Sequence, residues 1–248
     1  MRDWIFGRNP VFEVLRSRRR HLFQLLVARN IQTKGRLEEI LHMCDEIGLA
    51  LRHVDRTRLE QISPNHQGIA LEASGYPYST LEEILDLSRQ SNEAPLVLIL
   101  DTLQDPQNLG TLLRTAEAVG VHGVLLPFRR TATVTPAVVS ASSGASEHLL
   151  IAQTNLARAI NLLQSEGIWV VGLESDSEAN TPDRVDLDIP LALVVGNEGQ
   201  GLRRLVRDSC DILMQLPVGG KVDSLNASVA GSIALYLAWQ ARQYAGHQ

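Results

Sequence analysis

Cysteine is nearly absent. Cys44 and Cys210 stand alone, with no C-x-x-C pair and no histidine at ligand spacing, which argues against a disulfide framework, a zinc site or any other metal centre. Both read as small buried hydrophobes. Long hydrophobic runs are missing too: the longest, Leu96 to Leu100 and Ile233 to Trp239, fall far short of the roughly 18 residues that a membrane span needs. Arg2 and Asp3 precede only a short apolar stretch, Trp4 to Phe6, before Arg8, so no secretory h-region is read and a cytoplasmic protein with no membrane partner is expected. Internal repeats and low-complexity tracts are lacking as well.

What remains is an ordinary globular composition over 248 residues, enough for one large domain or two modest ones. The net charge of −5 conceals a split. Residues 1–75 carry 12 Lys/Arg against 9 Asp/Glu, net +3, whereas residues 76–248 carry 11 against 19, net −8. The densest basic cluster, Arg16, Arg18, Arg19, Arg20 and His21, is of the kind that engages phosphates, and it reads equally as a solvated helix end.

Periodicity predicts alternating helices and strands throughout. Asn9-Pro10 opens a first helix, with Asn9 as cap. Then come a strand over 22–28, a helix over 37–47 stopped by Gly48, strands over 49–54 and 69–73, and a short helix between those strands. Ser74-Gly75-Tyr76-Pro77-Tyr78 is turn-rich and marks a boundary. The expected division is a small α/β domain over 1–75, a linker with a leading helix over 76–94, and a larger α/β domain over 95–248. The larger one opens with Leu96 to Leu100, the uninterrupted apolar run of a strand buried on both faces of a parallel sheet. It continues with a helix over 109–119, strands over 123–126, 148–152, 168–173, 191–195 and 212–216, and a small-residue helix over 136–146. That helix suits a closely approaching backbone or an ordinary tight core.

Three loops follow strand ends, where open α/β sheets put their ligand sites. The first, Asp101 to Asn108, leads into a helix on which Asn108 can act as cap and Gly110, Thr111 and Arg114 share a face; Arg114 pointing at a ligand and Arg114 pairing with Glu117 are both open. The second, Gly196-Asn197-Glu198-Gly199-Gln200-Gly201, has glycines in the wrong order for a dinucleotide fingerprint and no P-loop lysine; Glu198 is either a functional carboxylate or a partner of Arg203 or Arg204. The third runs from Leu216-Pro217-Val218-Gly219-Gly220 to Ser224-Leu225-Asn226, with Asp223 or Ser224 as candidate cap of the last helix. It reads as a ligand loop or as a plain strand, turn and helix. The three together offer Asn, Arg, Glu, Ser and Asn without an elbow serine, a set better suited to binding and orienting than to hydrolysis.

Asp105-Pro106-Gln107-Asn108-Leu109-Gly110 through Arg114, Gly196-Asn197-Glu198-Gly199 through Gly201, and Leu216-Pro217 through Ser224-Leu225-Asn226-Ala227-Ser228-Val229-Ala230 resemble, in order, the three signature motifs of the SpoU class of SPOUT RNA 2′-O-ribose methyltransferases. Phe6 to Val11 and His66-Gln67-Gly68 resemble that class's L30e-like substrate-binding domain. The resemblance implies an N-terminal L30e-like α/β domain and a C-terminal SPOUT α/β domain tied in a trefoil knot, working as a homodimer with S-adenosylmethionine. It implies a catalytic set of Asn108, Arg114, Glu198, Ser224 and Asn226. Cofactor contacts would come from Gly196, Asn197, Gly199, Leu216, Val218 and Leu225, and RNA contacts from Arg8, Asn9, Arg18, Arg19, Arg20, His66 and Gln67. The implied substrate is a guanosine of large-subunit (23S) ribosomal RNA. The rivals are a transfer-RNA enzyme, whose compact members lack such an N-terminal domain, a resistance-type ribosomal RNA enzyme, and a non-catalytic RNA-binding module.

Overall fold

The computed structural model describes residues 2–91, 93–176, 179–197, 199–221 and 224–246, and they form two compact units. The first comprises residues 1–77 together with 133–148, whereas the sequence reading gave three consecutive segments, 1–75, 76–94 and 95–248, with no return of a later stretch to the first. Its elements are β1 (Arg2–Phe6), α1 (Arg8–Ser17), β2 (Leu22–Ala28), α2 (Arg36–Glu46), β3 (Ala50–Val54), α3 (Arg56–Glu60) and β4 (Ile69–Ser74). The sheet order is β1-β4-β2-β3, with β2 and β3 parallel and the other pairs antiparallel. Strand β1 was not expected, because it opens on the charged Arg2 and Asp3 and has only three apolar residues after them. It forms by pairing along its whole length with β4, Arg2 opposite Ser74 and Phe6 opposite Ala70. Helix α1 opens at Arg8 after Gly7, so Asn9 is inside the helix and is not its cap.

The second unit comprises residues 78–132 and 149–248. It holds α4 (Leu81–Ser91), β5 (Leu96–Leu100), α5 (Pro106–Ala118) and β6 (Gly123–Pro127). Helix α6 (Pro136–Ala141) comes next in the chain but belongs to the first unit. The second unit resumes with β7 (Ile151–Thr154), α7 (Leu156–Ser165), β8 (Trp169–Leu173), β9 (Leu191–Val195), α8 (Arg204–Arg207), β10 (Ile212–Met214) and α9 (Ala227–Ala241). All six strands are parallel in the order β10-β8-β9-β5-β6-β7, and β5 and β9 at its centre are buried at every residue. The sequence placed β7 over 148–152 and ran α6 to Ser146. Instead α6 stops at Ala141, and Ala145–His148 make a 3₁₀ turn in the first unit.

Helix α5 buries Leu109, Leu112, Leu113 and Ala116. Against it lies α9, close enough that a Cβ on Gly231 would come within 2.6 Å of the Leu112 side chain. At the far end of α9 the Arg242 guanidinium donates to the carbonyls of Ala94, Pro95 and Ile189, pinning the helix to the chain entering β5 and β9. Thr80 and Glu83 form a capping box ahead of α4, each side chain accepting the other's backbone N–H at 3.2 and 2.8 Å.

Candidate active site and cofactor cavity

The site of the second unit sits at the C-terminal ends of three neighbouring strands, where the chain leaves β8, β9 and β10. These loops enclose a cavity of about 350 Å³ lined by Gly196, Asn197, Gly199, Leu216, Val218, Ser224 and Leu225, with Leu173, Val195, Met214 and Ala230 among its apolar walls. All six residues read as cofactor contacts are in this one cavity. Sequence reasoning missed the loop after β8, which adds Glu174 and Ser175, and also Gln200, Gly201 and Gln215. Among the described lining residues Glu174 is the one charged side chain, so the cavity combines apolar walls and neutral polar groups with negative character. That donor set fits a flat apolar ring joined to a cationic chain and is unsuited to a polyphosphate.

The glycine loop after β9 is held from three directions. Asn197 and Gly201 exchange backbone hydrogen bonds of 3.1 and 3.0 Å, and Gly196 lies so close beneath Gly201 that a side chain there would strike the Gly201 backbone. Glu174 accepts the Leu202 N–H at 3.1 Å. Asp101, fully buried at the end of β5, accepts the Arg203 N–H at 2.8 Å and its Nε–H at 2.6 Å. Arg203 is thus committed to Asp101, and Arg204 has Asp208 at 3.5 Å. Glu198 and Asp223 lie outside the described residues.

The first and third loops meet directly. Asp105 caps α5, accepting from the N–H groups of Gln107 and Asn108, so Asn108 is not the cap. Asn226, and not Ser224, caps α9, its Oδ1 accepting from the N–H groups of Ser228 and Val229 at 2.9 and 3.2 Å. The Asn226 amide then donates to Asn108 Oδ1 at 3.2 Å, and Ser228 Oγ is 3.0 Å from the same oxygen. Ser228 was not singled out in the sequence; its place after a capping asparagine is the signal that could have found it. Arg114 is exposed on α5 and is not among the cavity's lining residues. Gly219 has no positive φ and nothing within 4 Å of a built Cβ, so the third loop does not depend on glycine there.

In the first unit the residues read as RNA contacts separate into two groups. Asn9, His66 and Gln67 line a second cavity of about 490 Å³, and Gln67 Oε1 accepts the Arg8 N–H at 2.9 Å. Arg18 is exposed at the end of α1. Arg20, by contrast, has no exposed side-chain surface: it grips Glu147 with two bonds of 2.9 and 2.7 Å and also reaches Asp3 and the Ser74 carbonyl. Arg19 is bonded to the Tyr76 hydroxyl and to the Glu147 and Pro77 carbonyls. These two arginines hold the 133–148 segment to the first unit, a role that takes Arg20 out of reach of a phosphate. Among the described residues there is no cluster of metal-ligating side chains and no helix long and apolar enough to cross a membrane.

Comparison with known proteins agrees with this layout. The sequence model of the SpoU rRNA Methylase family matches residues 95–236, and that of the RNA 2′-O ribose methyltransferase substrate-binding domain matches residues 4–79. A putative TrmH family tRNA/rRNA methyltransferase of Bacillus subtilis (strain 168) is 41% identical, covering 98% of each chain. The SpoU methyltransferase AviRb of Streptomyces viridochromogenes, crystallised with its cofactor AdoMet, superposes with a TM-score of 0.80 at 22% identity, over 99% of this chain and 92% of that one. An AdoMet-bound rRNA methyltransferase of Sinorhizobium meliloti gives 0.78 at 24% identity, over 96% and 87%. The chain belongs to the SpoU rRNA methylase family: it is an RNA 2′-O-ribose methyltransferase whose substrate-binding domain precedes its methylase domain.

Proposed function

We propose that the cavity at the ends of β8, β9 and β10 holds S-adenosylmethionine and that the enzyme methylates a guanosine ribose in large-subunit (23S) ribosomal RNA. The observation that carries the cofactor assignment is the lining itself: apolar walls, glycine-loop backbone, neutral polar side chains such as Asn197, Gln200 and Gln215, and one carboxylate, with no cation among the described residues. Bound there, the cofactor supplies an electrophilic methyl on a sulfonium. Gly196 and Gly199 offer backbone groups and Asn197 its side-chain amide, Leu216, Val218 and Leu225 cover the apolar part, and Glu174 complements the positive charge.

The acceptor hydroxyl is a poor nucleophile until its proton is removed or its developing charge is stabilised. A guanidinium stays a cation in proteins and makes a poor base, so Arg114 serves chiefly to stabilise the 2′-oxyanion. Asn108 and Asn226 keep the first and third loops in register, with Ser224 at the cavity edge and Glu198 completing the set. Arg8, Asn9, Arg18, His66 and Gln67 contribute to RNA binding. Support for ribosomal RNA comes from the substrate-binding domain over residues 4–79, which compact transfer-RNA enzymes of the class lack. Such a substrate puts the enzyme in the cytoplasm.

A homodimer is part of the proposal: Val229, Ile233 and Tyr236 expose 44, 39 and 51% of their surface along one side of α9, a stripe that a second copy would cover. So is the trefoil knot, with which the sheet order β10-β8-β9-β5 is compatible.

The test is transfer of labelled methyl from S-adenosylmethionine to ribosomal RNA, followed by mapping of the 2′-O-methyl position. A single guanosine should be labelled by the parent enzyme and Arg114→Lys should lose at least about a hundredfold in rate, the scale of one lost oxyanion donor. Label on transfer RNA alone would overturn the substrate, and a fully active Arg114→Lys the assigned role.

A further inference from the structure

We propose that the first unit's cavity is an anchoring pocket for a backbone phosphate of the substrate RNA and the nucleotide attached to it, separate from the nucleotide that is methylated. The inference rests on the RNA reading above and gives that binding one place and one chemistry. At about 490 Å³ the cavity is in the range of sites that enclose a small molecule, large enough for a nucleotide and not merely for an ion.

Its key group is His66, 5% exposed. The Gly68 N–H donates to His66 Nδ1 at 2.8 Å. A neutral imidazole whose Nδ1 accepts must carry its proton on Nε2, so the second nitrogen is a donor with fixed orientation. No described group accepts from it, and the ring lines the cavity.

The surroundings are of one polarity. Gln67 has spent its carbonyl oxygen on the Arg8 N–H, leaving its NH₂ as the remaining polar group. Arg56 is exposed on the cavity wall and has no partner among the described residues. Asn9, Asn65 and Ser140 add neutral polar groups, and among the described lining residues there is no carboxylate and no aromatic ring besides the His66 imidazole. A cation and several donors without an acid demand an acceptor-rich anion. The one aromatic ring, His66, is only 5% exposed and so offers little face for a base to stack on, which leaves the phosphate as the principal contact. Ser140 comes from the 133–148 segment, so the pocket is complete only because that segment joins the first unit.

The test is the affinity of the full enzyme for single-stranded ribosomal RNA fragments as a function of salt. Arg56→Gln should weaken binding and lower the slope of log affinity against log salt by about one, the signature of one lost phosphate contact. Ser140→Leu, which fills the cavity, should weaken binding about tenfold, the scale of one lost charge-assisted hydrogen bond. S-adenosylmethionine affinity, read separately, reports that each variant is folded. An unchanged slope for Arg56→Gln together with parental affinity for Ser140→Leu would overturn the pocket. A parent enzyme that binds RNA with the expected slope but transfers no methyl would instead contradict the proposed function and leave the pocket standing.

Discussion

Asn226 donates its side-chain amide to Asn108 across 3.2 Å, joining two loops that lie 118 residues apart in the chain. The arrangement is over-determined: Asn226 Oδ1 is occupied by the first N–H groups of α9, so only the NH₂ is left to face Asn108. Helix capping and the union of the two motifs are therefore one structural event. Asn226→Ala should cost about 1 kcal/mol of stability through the lost cap and also lower methyl transfer, whereas Asn108→Ala should lower transfer with little change in melting. In kcat/KM the double variant should be no worse than the weaker single one. Strictly additive losses would mean that the two residues act apart.

Two glycines of the cofactor loops should respond in opposite ways. A Cβ on Gly196 would run into the Gly201 backbone, while one on Gly219 meets nothing within 4 Å. Gly196→Ala should abolish binding of S-adenosylmethionine in calorimetry, and Gly219→Ala should leave it within about twofold, a few tenths of a kcal/mol. Equal losses would show that the third loop needs its glycine for a reason other than space.

Glu147→Ala strands a buried cation. Arg20 would keep only Asp3 at 3.4 Å and the Ser74 carbonyl, and breaking one side of a buried pair typically destabilises by about 3–5 kcal/mol. Urea unfolding should register this loss, and a change below about 1 kcal/mol would place the pair among exposed, screened ones.

His122 makes stability depend on pH. Burial holds its imidazole below the ordinary value of 6.5, and Nδ1 accepts the Leu96 N–H at 3.1 Å, a role open to the neutral ring. Because the folded pKa is the lower one, the contribution is full above about pH 6.5 and is lost as the pH falls toward the folded value. His122→Gln should flatten the decline in melting temperature just below pH 6.5; an unchanged decline would assign it to carboxylates.

Sequence revealed most where burial is total. Strands β5 and β9 match their predicted ranges because every residue is covered on both faces, so nothing polar interrupts the apolar run. Strand β1 was invisible because its pattern opens on charges and its stability comes from β4. Helix starts slipped for a different reason. Asn9, Asn108 and Ser224 are all competent caps, but Asn108 is engaged by Asn226 and Asp105 does the capping, a choice made by tertiary contacts.

The six residues read from the motifs as cofactor contacts all line one cavity. Glu174 was not among them, since the loop after β8 carries no pattern and its carboxylate acquires meaning only when Leu202 arrives beside it. The basic cluster misled for the same reason: Arg20 finds its acid 127 residues away.

The return of residues 133–148 to the first unit bears on how the protein can be dissected. No single cut in the polypeptide yields both halves intact. A fragment ending at Pro77 would leave Arg20 without its carboxylate and the His66 pocket without its serine wall, so an isolated N-terminal piece that fails to bind RNA would say little about the enzyme. A faithful excision would have to carry the later segment with it, spliced across the gap.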